Sequence, residues 1–250
     1  MASLSRAEEA TLRRDLAAAY RLAARFGWDD TLYTHFSVRL PGGKRGQERF
    51  LLNPFGLMFN EVRASDLIVV DLEGRIVDGN APMNPAGFTI HSAVHTARED
   101  AHCVIHTHTL AGMAVAACEQ GLLQLNQISA EFYQSVGYHP YEGVAFNHEE
   151  RARIQAALGE NMALILRHHG LLSVGPTVAD AFCIMYYLNK ACEIQLAAAQ
   201  LAGLAGPVTR IPPAVSAHVR QQFRGVEHER QLVWAAWLRQ LERTDPGYQL

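Results

Sequence analysis

One stretch near the middle of the chain decides how the rest is interpreted, and it reads Cys103-Val104-Ile105-His106-Thr107-His108. Its first part is a short β-branched apolar run, which is typical of a buried strand. Side chains two positions apart on a strand point to the same face, so His106 and His108 can direct two imidazoles to one point. Imidazole is the commonest metal ligand among side chains. The stretch therefore predicts a core strand that carries part of a metal site.

A second histidine motif, His168-His169-Gly170, lies between two predicted apolar strands. A core strand has no structural use for two adjacent histidines, so the motif predicts polar side chains projecting from a glycine turn. Combined with His106 and His108, it would supply a third imidazole. Three protein ligands leave coordination positions open for water or substrate, as catalytic metal sites do. The chain is rich in histidine, with 12 among 250 residues, which supports a search for function among these residues.

Two further histidines, His91 and His95, lie one helical turn apart on a helix that Pro85 is predicted to open. They compete with the first set as candidate ligands. The favoured interpretation is that they pack beside the sheet with ordinary hydrogen-bond partners.

Strand and helix patterns alternate along the whole chain. Strands are predicted at 35–40, 49–52, 67–71, 75–78, 102–106, 163–167 and 171–174, with a turn at Pro41–Lys44. Helices are predicted at 6–26, 85–98, 110–118, 149–158 and 177–203. Because no repeat, linker or low-complexity stretch interrupts them, we expect a single α/β domain over residues 1–250. It would have one central sheet with helices on both faces and a C-terminal helical extension at about 204–250.

Composition excludes several classes of partner. The formal net charge of −3 gives no basic excess to neutralise a phosphate backbone, so nucleic acid is not expected as a partner. The longest apolar stretches are about half of the ~20 residues that a bilayer crossing needs, and the N-terminal sequence lacks the apolar region of a signal peptide. We therefore expect no membrane association, a cytoplasmic location and a small-molecule substrate.

Five separated motifs, in this order, resemble the class II aldolase/adducin family over about residues 12–199: Tyr33-Thr34-His35-Phe36-Ser37-Val38-Arg39, Asn53-Pro54-Phe55-Gly56, Asn84-Pro85-Ala86-Gly87-Phe88, His106-Thr107-His108 and His168-His169-Gly170-Leu171. The resemblance implies a three-layer α-β-α sandwich around a central, largely antiparallel sheet. It also implies a homotetramer with active sites between subunits. In the family's sugar-phosphate aldolases, zinc is held by histidines that correspond to His106, His108 and His169, and His168 would have a supporting role.

The chain departs from those aldolases at the residues that bind phosphate. Their Ser-Ser-Glu segment, which supplies phosphate ligands and the general acid/base glutamate, corresponds to Pro85, Ala86 and Gly87. Their Gly-Asn and Thr-Gly phosphate contacts correspond to Thr34-His35 and Phe55-Gly56. A dianionic phosphate needs convergent donors. We therefore expect a substrate without phosphate, such as a hydroxy or keto acid.

The first functional hypothesis is a lyase of the retro-aldol or decarboxylation type. One divalent ion per subunit, Zn²⁺, Fe²⁺ or Mn²⁺, would act as a Lewis acid on the acid's oxygen atoms. With no glutamate at position 87, the proton would be carried by a metal-bound water or by one of four side chains, which the sequence leaves open: Glu131, Tyr133, His168 and His35.

Two other hypotheses remain open. Three neutral histidines with open positions also suit Fe²⁺, so the chain could be a non-haem iron oxygenase that cleaves an aromatic keto or hydroxy acid. The resemblance to adducin allows a non-catalytic scaffold or binding module, although adducin heads lack the metal histidines that are present here.

An apolar helical stripe near the C-terminus is expected to pack on a neighbouring fold or subunit, with a homotetramer favoured. Its residues are Val233, Trp234, Trp237 and Leu241.

Overall fold

The computed structural model describes residues 5–42 and 48–250. Part of the predicted turn at Pro41–Lys44 therefore lies outside the described residues. The strands are β1 His35–Leu40, β2 Arg49–Leu52, β3 Ile68–Asp71, β4 Ile76–Asp78, β5 Cys103–Thr107, β6 Val136–His139, β7 Ala163–Leu166 and β8 Gly170–Gly175. They form one sheet in the order β4-β3-β2-β1-β5-β8-β7-β6, in which every pairing is antiparallel except the parallel pair β6 and β7.

Helices cover both faces of this sheet. They are α1 Arg6–Arg25, α2 Pro85–Ala97, α3 Leu110–Ala116, α4 Gln127–Glu131, α5 Glu150–Leu158, α6 Val178–Ala205, α7 Pro213–Gly225 and α8 Glu229–Thr244. One core cluster joins the sheet to α1, α3, α6 and α8, and a second joins it to α2 and α5. The expected α-β-α sandwich with a largely antiparallel sheet is confirmed. None of the helices in the described ranges is long and apolar enough to cross a membrane.

Alternation along the central strand β5 assigns its side chains to the two layers. Cys103 and Ile105 are buried in the core cluster below α1 and α6, whereas Val104 faces the α2 layer. His106 follows Val104 by two positions and so lies on the α2 side. The same rule places His35 and Ser37 of β1 on that side, because Phe36 and Val38 belong to the opposite cluster. The sheet thus collects histidines on one face.

The helix and strand predictions agree with the structure to within a few residues, with two omissions. Strand β6 and the short helix α4 were not predicted, because Val136–His139 is a short run without strong alternation. The C-terminal apolar stripe packs within its own chain: Trp234 and Leu241 are buried, and the Trp237 ring contacts Phe26 and Phe182. The stripe therefore packs on a neighbouring part of the fold. A homotetramer stays a prediction from the family resemblance, which light scattering can check.

Candidate metal centre

Three histidines meet at one end of the central strands. His106 lies near the end of β5, His108 directly follows that strand, and His169 precedes β8. The ring centroids are 4.7 Å (His106–His108), 4.7 Å (His106–His169) and 4.8 Å (His108–His169) apart. One nitrogen of each ring lies within 4.8 Å of the other two. This is the grouping that the two sequence motifs predicted.

The turn before β8 brings His169 into this group. His168 adopts a left-handed conformation with φ 57°, which is uncommon for a residue other than glycine. A Cβ atom on Gly170 would lie 2.4 Å from the Thr107 carbonyl oxygen, so only glycine fits there. The tight approach of the turn to the end of β5 holds His169 against His106. His168 and Gly170 therefore shape the site through their backbone conformation.

Hydrogen bonds to the ring nitrogens determine which atoms are free to bind a metal. The His106 Nδ1–H donates to the Leu171 carbonyl oxygen at 2.9 Å, and the His108 Nδ1–H donates to Asp30 Oδ2 at 2.9 Å. In its neutral form each ring then carries its lone pair on Nε2, and the Nε2 atoms of His106 and His108 face each other at 2.9 Å. Two acceptors repel each other at this distance unless a cation lies between them. The donor set therefore fits a divalent ion, and Asp30 orients one ligand as carboxylates do in histidine metal sites.

Burial keeps the imidazoles of His106 and His169 in the neutral form that binds metals. Burial, with smaller effects of His169 and His108, holds the pKa of His106 well below its usual value. Burial and then the neighbouring His108 lower the pKa of His169 to about 4. Neutral rings at physiological pH are ready to coordinate, since a protonated imidazole has no lone pair to offer.

A cavity of about 330 Å³ opens beside the three histidines. Its other walls include exposed apolar and aromatic side chains, chiefly Tyr33, Tyr141, Val144 and Phe146. Asp30 is its one acidic lining residue, and among the described residues no lysine or arginine lines it. The cavity thus combines a metal-binding end with an apolar end, which is typical of small-molecule sites.

Of the four candidate proton carriers, His35 alone lines this cavity. The His35 ring lines it, with its centroid 5.0 Å from that of His106. Glu131 lines a separate cavity, 3.5 Å from Arg230, and burial raises the pKa of its carboxyl despite that arginine. Tyr133 follows Glu131 at the end of α4 and does not line the metal cavity, and the exposed His168 ring does not line it either. Within one subunit, His35 is the candidate that the fold brings to the metal centre.

Next to His35, a buried chain of hydrogen bonds extends away from the cavity. His35 Nδ1 lies 2.7 Å from His91 Nε2, and Ser37 Oγ contacts both His91 Nδ1 and, at 2.7 Å, His95 Nε2. The chain ends where His95 Nδ1 meets the Ala101 carbonyl oxygen at 3.1 Å. The expectation that His91 and His95 pack beside the sheet with ordinary partners is confirmed. We refer to His35, His91, Ser37 and His95 below as the histidine chain.

Two residues of the site were not predicted from sequence. Ser37 was noted only as part of a family motif, and its position two residues from His35 on β1 was the available signal. Asp30 lies in a turn 78 residues from its partner His108, and no local pattern connects them.

Comparison with known proteins agrees with this fold and site. Residues 14–196 match the family model for the class II aldolase and adducin N-terminal domain. A Pseudomonas aeruginosa protein named as an aldolase class 2 protein is 49% identical over 99% of this chain and 95% of its own length. Mouse alpha-adducin is 47% identical over 80% of this chain, which corresponds to only 27% of the adducin.

Solved structures show the same relationship. An aldolase II superfamily protein from Pseudomonas syringae superposes with a TM-score of 0.90 at 45% identity, covering 99% of this chain and 98% of that one. An L-fuculose 1-phosphate aldolase from Glaciozyma antarctica superposes with a TM-score of 0.84 at 32% identity, covering 99% and 95%.

The α-β-α sandwich is the class II aldolase fold, and the three convergent histidines form a group that could hold a metal ion. The chain belongs to the class II aldolase and adducin family, whose aldolases are generally divalent-metal-dependent lyases. The family also includes the adducins, so family membership by itself leaves more than one kind of function open.

Proposed function

We propose that this protein is a divalent-metal-dependent lyase acting on a phosphate-free hydroxy or keto acid. The observation that carries the proposal is the trio of His106, His108 and His169, whose facing lone pairs call for a cation. A bound divalent ion would polarise the acid's oxygen atoms and stabilise negative charge as a carbon–carbon bond breaks. A purely structural domain has no use for three imidazoles that converge in this way beside a cavity.

The walls of the cavity support a substrate that is anionic only where it meets the metal. In the parts of the chain that the structure describes, the cavity offers a phosphate group no cationic side chain, while Asp30 would repel it. Tyr33, Tyr141 and Phe146 offer apolar contact to the other end of the molecule. A carboxylate and a keto or hydroxyl oxygen would bind at the histidines, and the carbon chain would lie against the aromatic rim.

In the retro-aldol version of the reaction, a hydroxyl proton leaves and the bond between the carbinol carbon and its neighbour breaks. The hydroxyl oxygen becomes an aldehyde carbonyl, and the released electron pair is protonated on carbon to give a keto acid. A decarboxylation would place the departing carboxylate at the same position. Among the protein's groups, His35 lies where it can contact such a hydroxyl, and Asp30 keeps His108 oriented.

Three observations favour other functions. The L-fuculose 1-phosphate aldolase relative favours a phosphorylated sugar. The three histidines and the aromatic rim also suit an iron oxygenase for an aromatic keto or hydroxy acid. The similarity to adducin favours a non-catalytic module.

The test begins with metal analysis of protein purified without chelator or a metal-binding tag. Bound zinc or manganese supports the lyase, bound iron supports the oxygenase, and no bound metal supports the scaffold. The metal-loaded protein is then incubated with a panel of phosphate-free hydroxyketo acids, and aldehyde or CO₂ release is measured. L-Fuculose 1-phosphate serves as the phosphorylated comparison.

The matched control is His169→Ala, which removes one ligand. Phosphate-free turnover that disappears in His169→Ala supports the proposal. Turnover of L-fuculose 1-phosphate at rates of about 1–10³ s⁻¹ contradicts the substrate class.

A further inference from the structure

The histidine chain has only one arrangement of protons that satisfies all its hydrogen bonds. Burial, with a further effect of Arg39, lowers the pKa of His95 to about 3, so this ring is neutral. Its Nδ1 faces the Ala101 carbonyl oxygen, which can only accept, so the proton of His95 lies on Nδ1. The Nε2 atom of His95 therefore has a lone pair and accepts the Ser37 hydroxyl proton.

The same direction of donation continues along the histidine chain to the cavity. Since Ser37 has only one proton to donate, its oxygen must accept from the His91 Nδ1–H. His91 is neutral as well, because burial and the neighbouring His95 keep its pKa well below the usual value, so its Nε2 accepts from the His35 Nδ1–H. The neutral His35 ring then carries its lone pair on Nε2. A carbonyl at one end thus determines the tautomer at the other.

Packing also holds the His35 ring in place. The ring lies over Gly87, where an added Cβ atom would come within 2.5 Å of His35 Cδ2 and 2.9 Å of Nε2. The ring therefore occupies the space that any larger residue at position 87 would need. Its Nε2 atom has no hydrogen-bond partner among the described residues, and the ring lines the cavity beside His106. A ligand bound there meets a fixed acceptor.

We propose that His35 Nε2 is a specificity-determining acceptor which selects substrates carrying a hydroxyl group next to the metal-binding keto acid. His91, Ser37 and His95 are the positioning residues that keep this nitrogen unprotonated. A ligand hydroxyl can donate to Nε2, whereas a ligand that places only a carbonyl or an aliphatic carbon there cannot. The inference rests on the proposed function, since it concerns the acid bound at the same metal centre.

The test compares two acids that differ by a single hydroxyl group. Binding of 3-hydroxypyruvate and of pyruvate to the Co²⁺-loaded protein is measured by isothermal titration calorimetry. We expect the wild type to bind hydroxypyruvate about 3- to 10-fold more tightly, the usual effect of one neutral hydrogen bond.

Two substitutions of His35 separate its two nitrogens. His35→Asn keeps a donor near the Nδ1 position and removes the acceptor, so the preference should fall to about 1-fold. His35→Gln keeps an acceptor near the Nε2 position and should retain part of the preference. Affinity for pyruvate and the amount of bound Co²⁺ should stay unchanged in both, which distinguishes selection from general damage to the site.

Substitutions of His91 test the positioning residues. Gln can accept from His35 and donate to Ser37 as the imidazole does, whereas Leu can do neither. His91→Gln should therefore keep the preference and His91→Leu should lose it. In ¹⁵N-histidine spectra, the His35 signal, assigned by its loss in His35→Asn, should show the proton on Nδ1 in the wild type.

The outcomes distinguish this inference from the function on which it rests. Failure of both acids to bind the wild type overturns the proposed function and the hydroxyl selection with it. Pyruvate binding without a preference for hydroxypyruvate, a preference that persists in His35→Asn, or a proton found on His35 Nε2 each overturns the selection alone.

Discussion

The structure contains two neighbouring clusters of histidines, and they differ in how their hydrogen bonds are satisfied. In the histidine chain, the nitrogens of His91 and His95 all have partners, and a carbonyl closes the far end. In the metal centre, the Nδ1 atoms of His106 and His108 have partners, whereas their Nε2 atoms face only each other. Satisfied polar networks stabilise and orient, whereas unmatched acceptors mark the place where a ligand binds.

The largest effect is expected when a ligand of the metal centre is removed, and it is a loss of bound metal. His169→Ala reduces three metal ligands to two, and a two-histidine site holds a divalent ion much more weakly. We expect the metal content of purified protein to fall from about one ion per chain to less than about a tenth of that. Elemental analysis by mass spectrometry measures this. Unchanged metal content in the variant would contradict the assignment of His169 as a ligand.

Disrupting the histidine chain should instead lower the free energy of unfolding. Ser37→Ala leaves the His91 Nδ1–H and the His95 Nε2 lone pair buried without a partner. Each unsatisfied group costs about 1–3 kcal/mol, so we expect the free energy of unfolding to fall by about 2–6 kcal/mol. Urea denaturation followed by circular dichroism gives the value. Metal content should stay at the wild-type level, and a loss of metal without a loss of stability would reverse the roles given to the two clusters.

A third substitution sharpens the description of the metal centre. Asp30→Asn keeps an oxygen near His108 Nδ1 but removes the negative charge that makes this ligand more basic. Partners of metal-binding histidines typically change metal affinity 10- to 100-fold, so we expect a decrease of that size. Competition with a chromophoric chelator measures it. Because Asp30 is partly exposed, stability should change little, and an unaffected metal affinity would show that the contact is incidental.

The smallest effect is a dependence of stability on pH that comes from His95 of the histidine chain. His95 has a pKa of about 3 when folded, mainly because it is buried and then because of Arg39 and His102, against about 6.5 when unfolded. Between these values the unfolded chain binds more protons than the folded chain, so stability decreases as the pH falls from about 6.5 to 3.

We expect the free energy of unfolding of His95→Gln to depend less steeply on pH in this window, by at most about 1.4 kcal/mol per pH unit. Urea denaturation of both proteins at a series of pH values gives the two slopes. Parallel slopes would mean that other groups dominate acid unfolding.

The residues of the metal trio could be predicted because each motif is local. His106 and His108 are two residues apart on a strand, and the glycine after His169 marks a turn, so periodicity and turn chemistry sufficed for both halves. The family resemblance then indicated that the two motifs contribute to the same site. The identity of the proton carrier could not be reached in this way, since Glu131, Tyr133, His168 and His35 are equally reasonable by residue type. Only the fold shows that His35 shares the cavity with the metal centre while Glu131 lines another one.

The sequence by itself determined most of the order of strands and helices and the trio of metal-binding candidates, because these depend on spacings of a few residues. The tertiary structure decided what depends on contacts distant in sequence. Pairing of β1 with β5 places His35 opposite His106, a turn 78 residues away supplies Asp30 to His108, and Gly87 leaves room for the His35 ring. Such contacts follow from how layers pack, and packing is a property of the whole chain that no short segment encodes.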